Sequence, residues 1–81
     1  METTKFVTFT SFNGEQIIVF PGVIQHKQFA ESVTACSFGS MRPISGGFVS
    51  NNECFGKSVS LRMRSRPEDT ELLNKLTEGE G

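Results

Sequence analysis

Three arginines stand at every second position in Leu61-Arg62-Met63-Arg64-Ser65-Arg66. In an extended strand alternate side chains point the same way. That spacing would put Leu61 and Met63 on one side and Arg62 and Arg64 on the other. Ser60 and Ser58 continue the arginine row. A guanidinium fork gives two parallel hydrogen bonds to a phosphate. Each charge-assisted bond contributes roughly 1.5–3 kcal/mol. Two or three such groups suffice to hold a small phosphorylated ligand with no catalytic group. Arg66 is the third candidate, unless the chain has already turned into a helix there. Arg42 and Lys57 are further ones. The competing reading is a solvated strand face whose arginines pair with some of the nine acidic residues.

Other chemistry is sparse. His26 is the one histidine. It reads either as a helix residue hydrogen-bonded to backbone or as a donor beside an anionic ligand. His26, Cys36 and Cys54 lack paired metal-ligand spacing, so neither metal nor other cofactor is expected. The two cysteines allow at most one bridge. Cys54 reads as a free thiol among small residues and Cys36 as a half-buried filler. Glu68, Asp69 and Glu71 read as an exposed first helical turn with nothing to raise a pKa. An enzyme is therefore not expected.

A net charge of −1 argues against binding long nucleic acid, which usually leaves a basic footprint. Eight Phe with no Tyr or Trp suit cores and interfaces rather than hydrogen bonding. The 81 residues make one small domain, 1–76, with 77–81 a frayed acidic tail. No signal-like or membrane-spanning apolar run occurs, so a cytoplasmic protein with no membrane partner is expected.

The elements that must position these groups read as α+β in ββαββα order: two antiparallel hairpins form a small sheet, packed by two short helices. Residues 5–20 form the first hairpin, turning at Asn13-Gly14 in a type I′ geometry. That turn opposes Phe9 to Ile18 and Thr10 to Ile17. Val7, Phe9, Ile18 and Phe20 share one apolar face. The other carries Phe6, Thr8, Ile17 and Val19, and needs a helix or another subunit to cover it. Homo-oligomerisation is therefore expected. Pro21-Gly22 stops the strand. Residues 23–34 form a helix with His26, Phe29, Ala30 and Val33 on one stripe. A strand from about residue 44 to 50 turns at Asn51-Asn52 into a long strand over residues 53–64. Its register opposes Phe48 to Phe55, Gly46 to Lys57 and Ile44 to Val59. Phe48, Ile44, Phe55, Val59, Leu61 and Met63 would share an apolar face. Gly46 and Gly47 opposite Gly56 leave a stretch where a ligand or another backbone can approach. Ser65-Arg66-Pro67-Glu68 reads as a capping box opening a helix with Leu72, Leu73 and Leu76 inward.

The segments Ile44-Ser45-Gly46-Gly47-Phe48-Val49, Cys54-Phe55-Gly56-Lys57-Ser58-Val59-Ser60-Leu61 and Ser65-Arg66-Pro67-Glu68-Asp69-Thr70 resemble a family of small phage and prophage proteins. Its pattern is S-A-G-F, then C-Y-G-x-S-x-S-L, then S-R-P-E-D. Here a glycine stands in place of the alanine and Phe55 in place of the tyrosine. The resemblance implies a phage context, where small non-enzymatic proteins counter host defence. They do so by sequestering a nucleotide signal or by blocking a host protein. The expected function is thus a cytoplasmic sponge for a cyclic nucleotide or similar ligand. Arg62, Arg64, Ser58 and Ser60 would bind, Gly47 and Gly56 would allow close approach, and Arg66 and His26 would assist. The alternative is an inhibitor or adaptor that binds a host protein. A structural protein of the virion is a third possibility.

Overall fold

The computed structural model describes residues 3–80, with side chains for 3–76. The fold is α+β. In chain order it contains β1 (Thr4–Ser11), β2 (Gly14–Pro21), α1 (His26–Cys36), β3 (Arg42–Ser50), β4 (Glu53–Phe55), β5 (Lys57–Ser58), β6 (Met63–Arg64) and α2 (Pro67–Glu80). Four antiparallel strands form a sheet in the order β2-β1-β3-β4, and β5 and β6 form a separate two-stranded ribbon.

The first hairpin forms where expected, in a different register. Ser11 pairs with Gly14 and Val7 with Ile18. Within this hairpin only Gly14 takes a positive φ, so the bend lies at Phe12 and Asn13 and is not type I′. The Ser11 hydroxyl makes the turn locally, accepting the Asn13 N–H and donating to the Gly14 carbonyl. Each partner is displaced by two residues from the expected pairing. A two-residue slip keeps every side chain on its face, whereas a one-residue slip would flip them all. Both expected faces therefore survive. Val7, Phe9 and Phe20 pack with Ala30 under α1, while Phe6 and Ile17 pack with Leu73 under α2. Phe6 and Phe9 are fully buried on opposite faces of one strand. Each contributes about 1.5–3 kcal/mol of hydrophobic stabilisation. The second face, expected to need a helix or a subunit, is covered by α2.

The expected inward stripe of α1 is observed, with His26 and Ala30 buried and Phe29 and Val33 packed against the core. Phe20 and Phe29 stack at 4.1 Å, and His26 meets both Phe20 and Phe48 edge-on. Cys36 lies exposed at the helix end rather than half-buried, and both cysteines are free.

The second hairpin begins as expected. Asn51 and Asn52 both take the positive φ that a type I′ turn requires, and Phe48 pairs with Phe55. The strand then ends. Gly56 adopts φ +75°, and the chain leaves β3 before the Gly46–Lys57 and Ile44–Val59 pairings can form. The outer strand expected over residues 53–64 is thus three short pieces and a turn. Val59 is 77 % exposed instead of joining an apolar face.

The cap of α2 is one residue later than expected. Arg66 precedes the helix, and Asp69 reaches back to accept its N–H at 2.8 Å. Glu68 is exposed, while Asp69 is fully buried. Leu73 is buried and Leu76 is 46 % exposed. The α2 backbone continues to Glu80, through most of the segment expected as a tail; Gly81 lies outside the described residues.

Candidate anion-binding groove

A groove of about 350 Å³ opens on the β5–β6 ribbon, lined by Lys57, Ser58, Val59, Arg62, Met63 and Arg64. Ribbon pairing sets Lys57 directly opposite Arg64, and Ser58 opposite Met63. Ser58 is buried, so alternation turns Lys57 and Arg64 outward together. Directly opposed residues of an antiparallel pair have Cβ atoms about 4.5–5.5 Å apart, and like charges there repel. Arg62 joins them from the turn between β5 and β6, where it takes φ +57° and its N–H bonds the Val59 carbonyl at 3.2 Å. A non-glycine residue held in this region stores backbone strain. Among the described residues no carboxylate pairs with Lys57, Arg62 or Arg64. Three cations thus line one groove with no carboxylate partner among the described residues.

The arginines come together differently from the expected row. They do not alternate along one strand, because Arg62 sits in a turn and only Arg64 is in a strand. Arg66 is separate, and the ion-paired alternative describes it. Its guanidinium bonds Asp69 at 2.9 Å and Glu15 at 3.0 Å. Glu15 and then Asp69 raise its pKa still further above the ordinary arginine value.

Both expected serine ligands have other partners. Ser58 lines the groove but is 1 % exposed, and its Oγ accepts the Leu61 N–H at 3.2 Å. The Ser60 Oγ accepts the Lys27 N–H at 3.2 Å, in the first turn of α1. Gln25 at the helix start makes no side-chain cap, so Ser60 performs that task from a distant loop. His26 is buried and its Nε2 lies 2.8 Å from the Gly47 carbonyl. Burial lowers its pKa, the Gly47 bond opposes this, and Lys5 adds a smaller lowering. The backbone-bonded reading of His26 is the one observed.

Gly47 admits another backbone rather than a ligand. It is buried, and a Cβ there would come within 2.5 Å of the Phe55 carbonyl oxygen. Gly56 is exposed, and its carbonyl accepts the Ser65 N–H at 3.0 Å. Arg42 starts β3 and does not line the groove. Among the described residues no three His, Cys, Asp or Glu side chains gather as metal ligands, and no helix is long and apolar enough to cross a membrane.

Sequence reasoning missed the group that holds this corner together. Thr8 and Ser45 pair across β1 and β3, and both hydroxyls donate to Asp69 Oδ1, at 2.8 and 2.9 Å. Burial pushes the Asp69 pKa up. Bonds from the Arg66 side chain and N–H, and from Thr8 and Ser45, outweigh it and hold the carboxylate below its ordinary value. The signal was present as an acidic residue three positions after Arg66, but Glu68 was the neighbouring choice.

No protein-family model, curated protein or solved structure matches this chain.

Proposed function

We propose that this protein binds a small phosphorylated ligand at Lys57, Arg62 and Arg64 and acts by capture without turnover. One observation carries this reading: three cations line one groove with no carboxylate partner among the described residues. Opposed like charges cost free energy until an anion sits between them, and guanidinium forks suit phosphate oxygens. In the phage setting implied by the resemblance, the ligand is a nucleotide immune signal in the host cytoplasm, and capturing it counters defence.

Calorimetry with ribose 5-phosphate and with pyrophosphate tests the proposal. Binding should weaken as salt rises from about 50 to about 200 mM. Replacing both arginines (R62A/R64A) should reduce affinity about a hundredfold or more and leave the melting temperature within about 3 °C, since both side chains are exposed. Unchanged affinity in the folded double variant refutes the assignment. A second reading has its own support: Phe38, Phe12 and Val23 are 97 %, 90 % and 81 % exposed, as anchors for a protein partner would be. There the cations meet an acidic patch on a host protein, and phosphorylated probes produce no heat.

A further inference from the structure

The geometry points to an aromatic subsite beside the cationic groove; building on the capture reading above, we infer that the ligand is a nucleotide, held by its base as well as its phosphate. A second cavity of about 680 Å³ lies against the first. Lys57 and Val59 line both, so the two adjoin along those side chains. Both volumes fall within the range of about 300–1,000 Å³ usual for small-molecule sites. The second cavity differs in character: Phe48, Phe55 and Val59 give it an apolar wall, and among the described residues no carboxylate lines it.

The wall is held in place by its neighbours, among them His26, which also lines the cavity. Phe48 and Phe55 lie with ring centroids 5.9 Å apart and a 32° tilt. His26 meets Phe48 edge-on at 5.7 Å, and its bond to the Gly47 carbonyl holds the imidazole. Backbone packing adds to this. A Cβ at Gly56 would come within 3.1 Å of the Phe48 ring, and one at Gly47 within 2.5 Å of the Phe55 carbonyl. Gly56 therefore lets the chain lie close against the Phe48 ring, and Gly47 lets β3 lie close against the Phe55 backbone. In front, Phe55 is 49 % exposed and Val59 77 % exposed. An aromatic surface this open beside a lysine is suited to stacking a flat ring.

Charge and shape then divide one ligand between the cavities. Its anionic end meets Arg62, Arg64 and Lys57, and its flat end lies on Phe55 and Val59. Gln25 lines the second cavity and makes no cap bond, so its amide is placed to offer a donor and an acceptor to the edge of a base. A bare sugar phosphate or pyrophosphate fills only the groove. An acyl phosphate would use the apolar wall but neither the stacking surface nor the amide.

The test compares adenosine 5′-monophosphate, uridine 5′-monophosphate and ribose 5-phosphate by calorimetry on the whole protein. The nucleotides should bind at least about tenfold more tightly than ribose 5-phosphate, with the purine ahead of the pyrimidine. Phe55→Ala should erase that advantage and leave ribose 5-phosphate binding unchanged. Val59→Ser, at an exposed turn position, should reduce the advantage without any cost in folding. Equal affinities for all three ligands overturn the subsite while the phosphate groove stands. Failure of every phosphorylated ligand to bind overturns both.

Discussion

Replacing Asp69 by asparagine should cost about 3 kcal/mol of folding stability. The side chain is fully buried and accepts the Thr8 and Ser45 hydroxyls, the Arg66 guanidinium and the Arg66 N–H. The amide keeps one oxygen, enough for the two hydroxyls. Its NH₂ group then faces the Arg66 N–H, donor against donor, and the guanidinium loses its buried counter-charge. Bonds to charged groups contribute roughly 1.5–3 kcal/mol each, and breaking a buried pair costs about 3–5. Arg66 keeps Glu15 and is partly exposed, with 25 % of its side chain accessible, which moves the estimate to the low end. For a domain of this size about 3 kcal/mol lowers the melting temperature by roughly 12–24 °C. Circular dichroism melts of the wild type and D69N at pH 7 measure it. Glu68→Gln, at the exposed neighbouring position, serves as control and should stay within about 0.5 kcal/mol. Acid should narrow the gap. The native Asp69 pKa lies below the ordinary value of 3.8. Its stabilisation is therefore complete above that value and lost as the pH falls through the lower native one. A D69N protein that melts within about 2 °C of wild type would refute this account of the network.

Ser60→Ala removes the remote cap on Lys27 and should cost about 0.5–2 kcal/mol in urea unfolding. His26 titrates below its ordinary value of 6.5 in the folded state. Stability from this group should be complete above pH 6.5 and decline as the pH falls from there to the native pKa, as denaturant midpoints across pH 4–8 would record. At pH 8 iodoacetamide should label exposed Cys36 and spare Cys54, read by mass spectrometry. Burial, with Asp69 adding to it, pushes the Cys54 thiol up to about 11, against an opposing bond from Thr70.

Much of the fold was legible because periodicity survives errors of register. Val7, Phe9, Ile18 and Phe20 stayed on one face although their cross-strand partners moved. The α1 stripe and the Phe48–Phe55 pairing were equally readable. The run after Gly56 was not. Residues 57–64 alternate as a strand should, but local alternation carries no account of unsatisfied groups elsewhere. The first turn of α1 lacks a side-chain cap at Gln25. Ser60 satisfies the Lys27 N–H from the turn between β5 and β6, while Ser58 closes that same turn by accepting the Leu61 N–H. Asp69 was misread for the same reason. Helix-start acidity is visible along the chain, whereas burial against Thr8 and Ser45 depends on α2 crossing the sheet.

Residue type and spacing alone determined that this chain is α+β, that both faces of its first hairpin are apolar, and that basic side chains concentrate near Arg62 and Arg64. Those properties follow from side-chain chemistry and from backbone periods of two and 3.6 residues. Only the tertiary structure decided which cations have a carboxylate partner among the described residues. Arg66 lies two residues from Arg64, yet Glu15 and Asp69 neutralise it from β2 and α2. Lys57, seven residues before Arg64, is set directly opposite it by the ribbon. Net local charge is a sum over neighbours in space, and the fold chooses those neighbours.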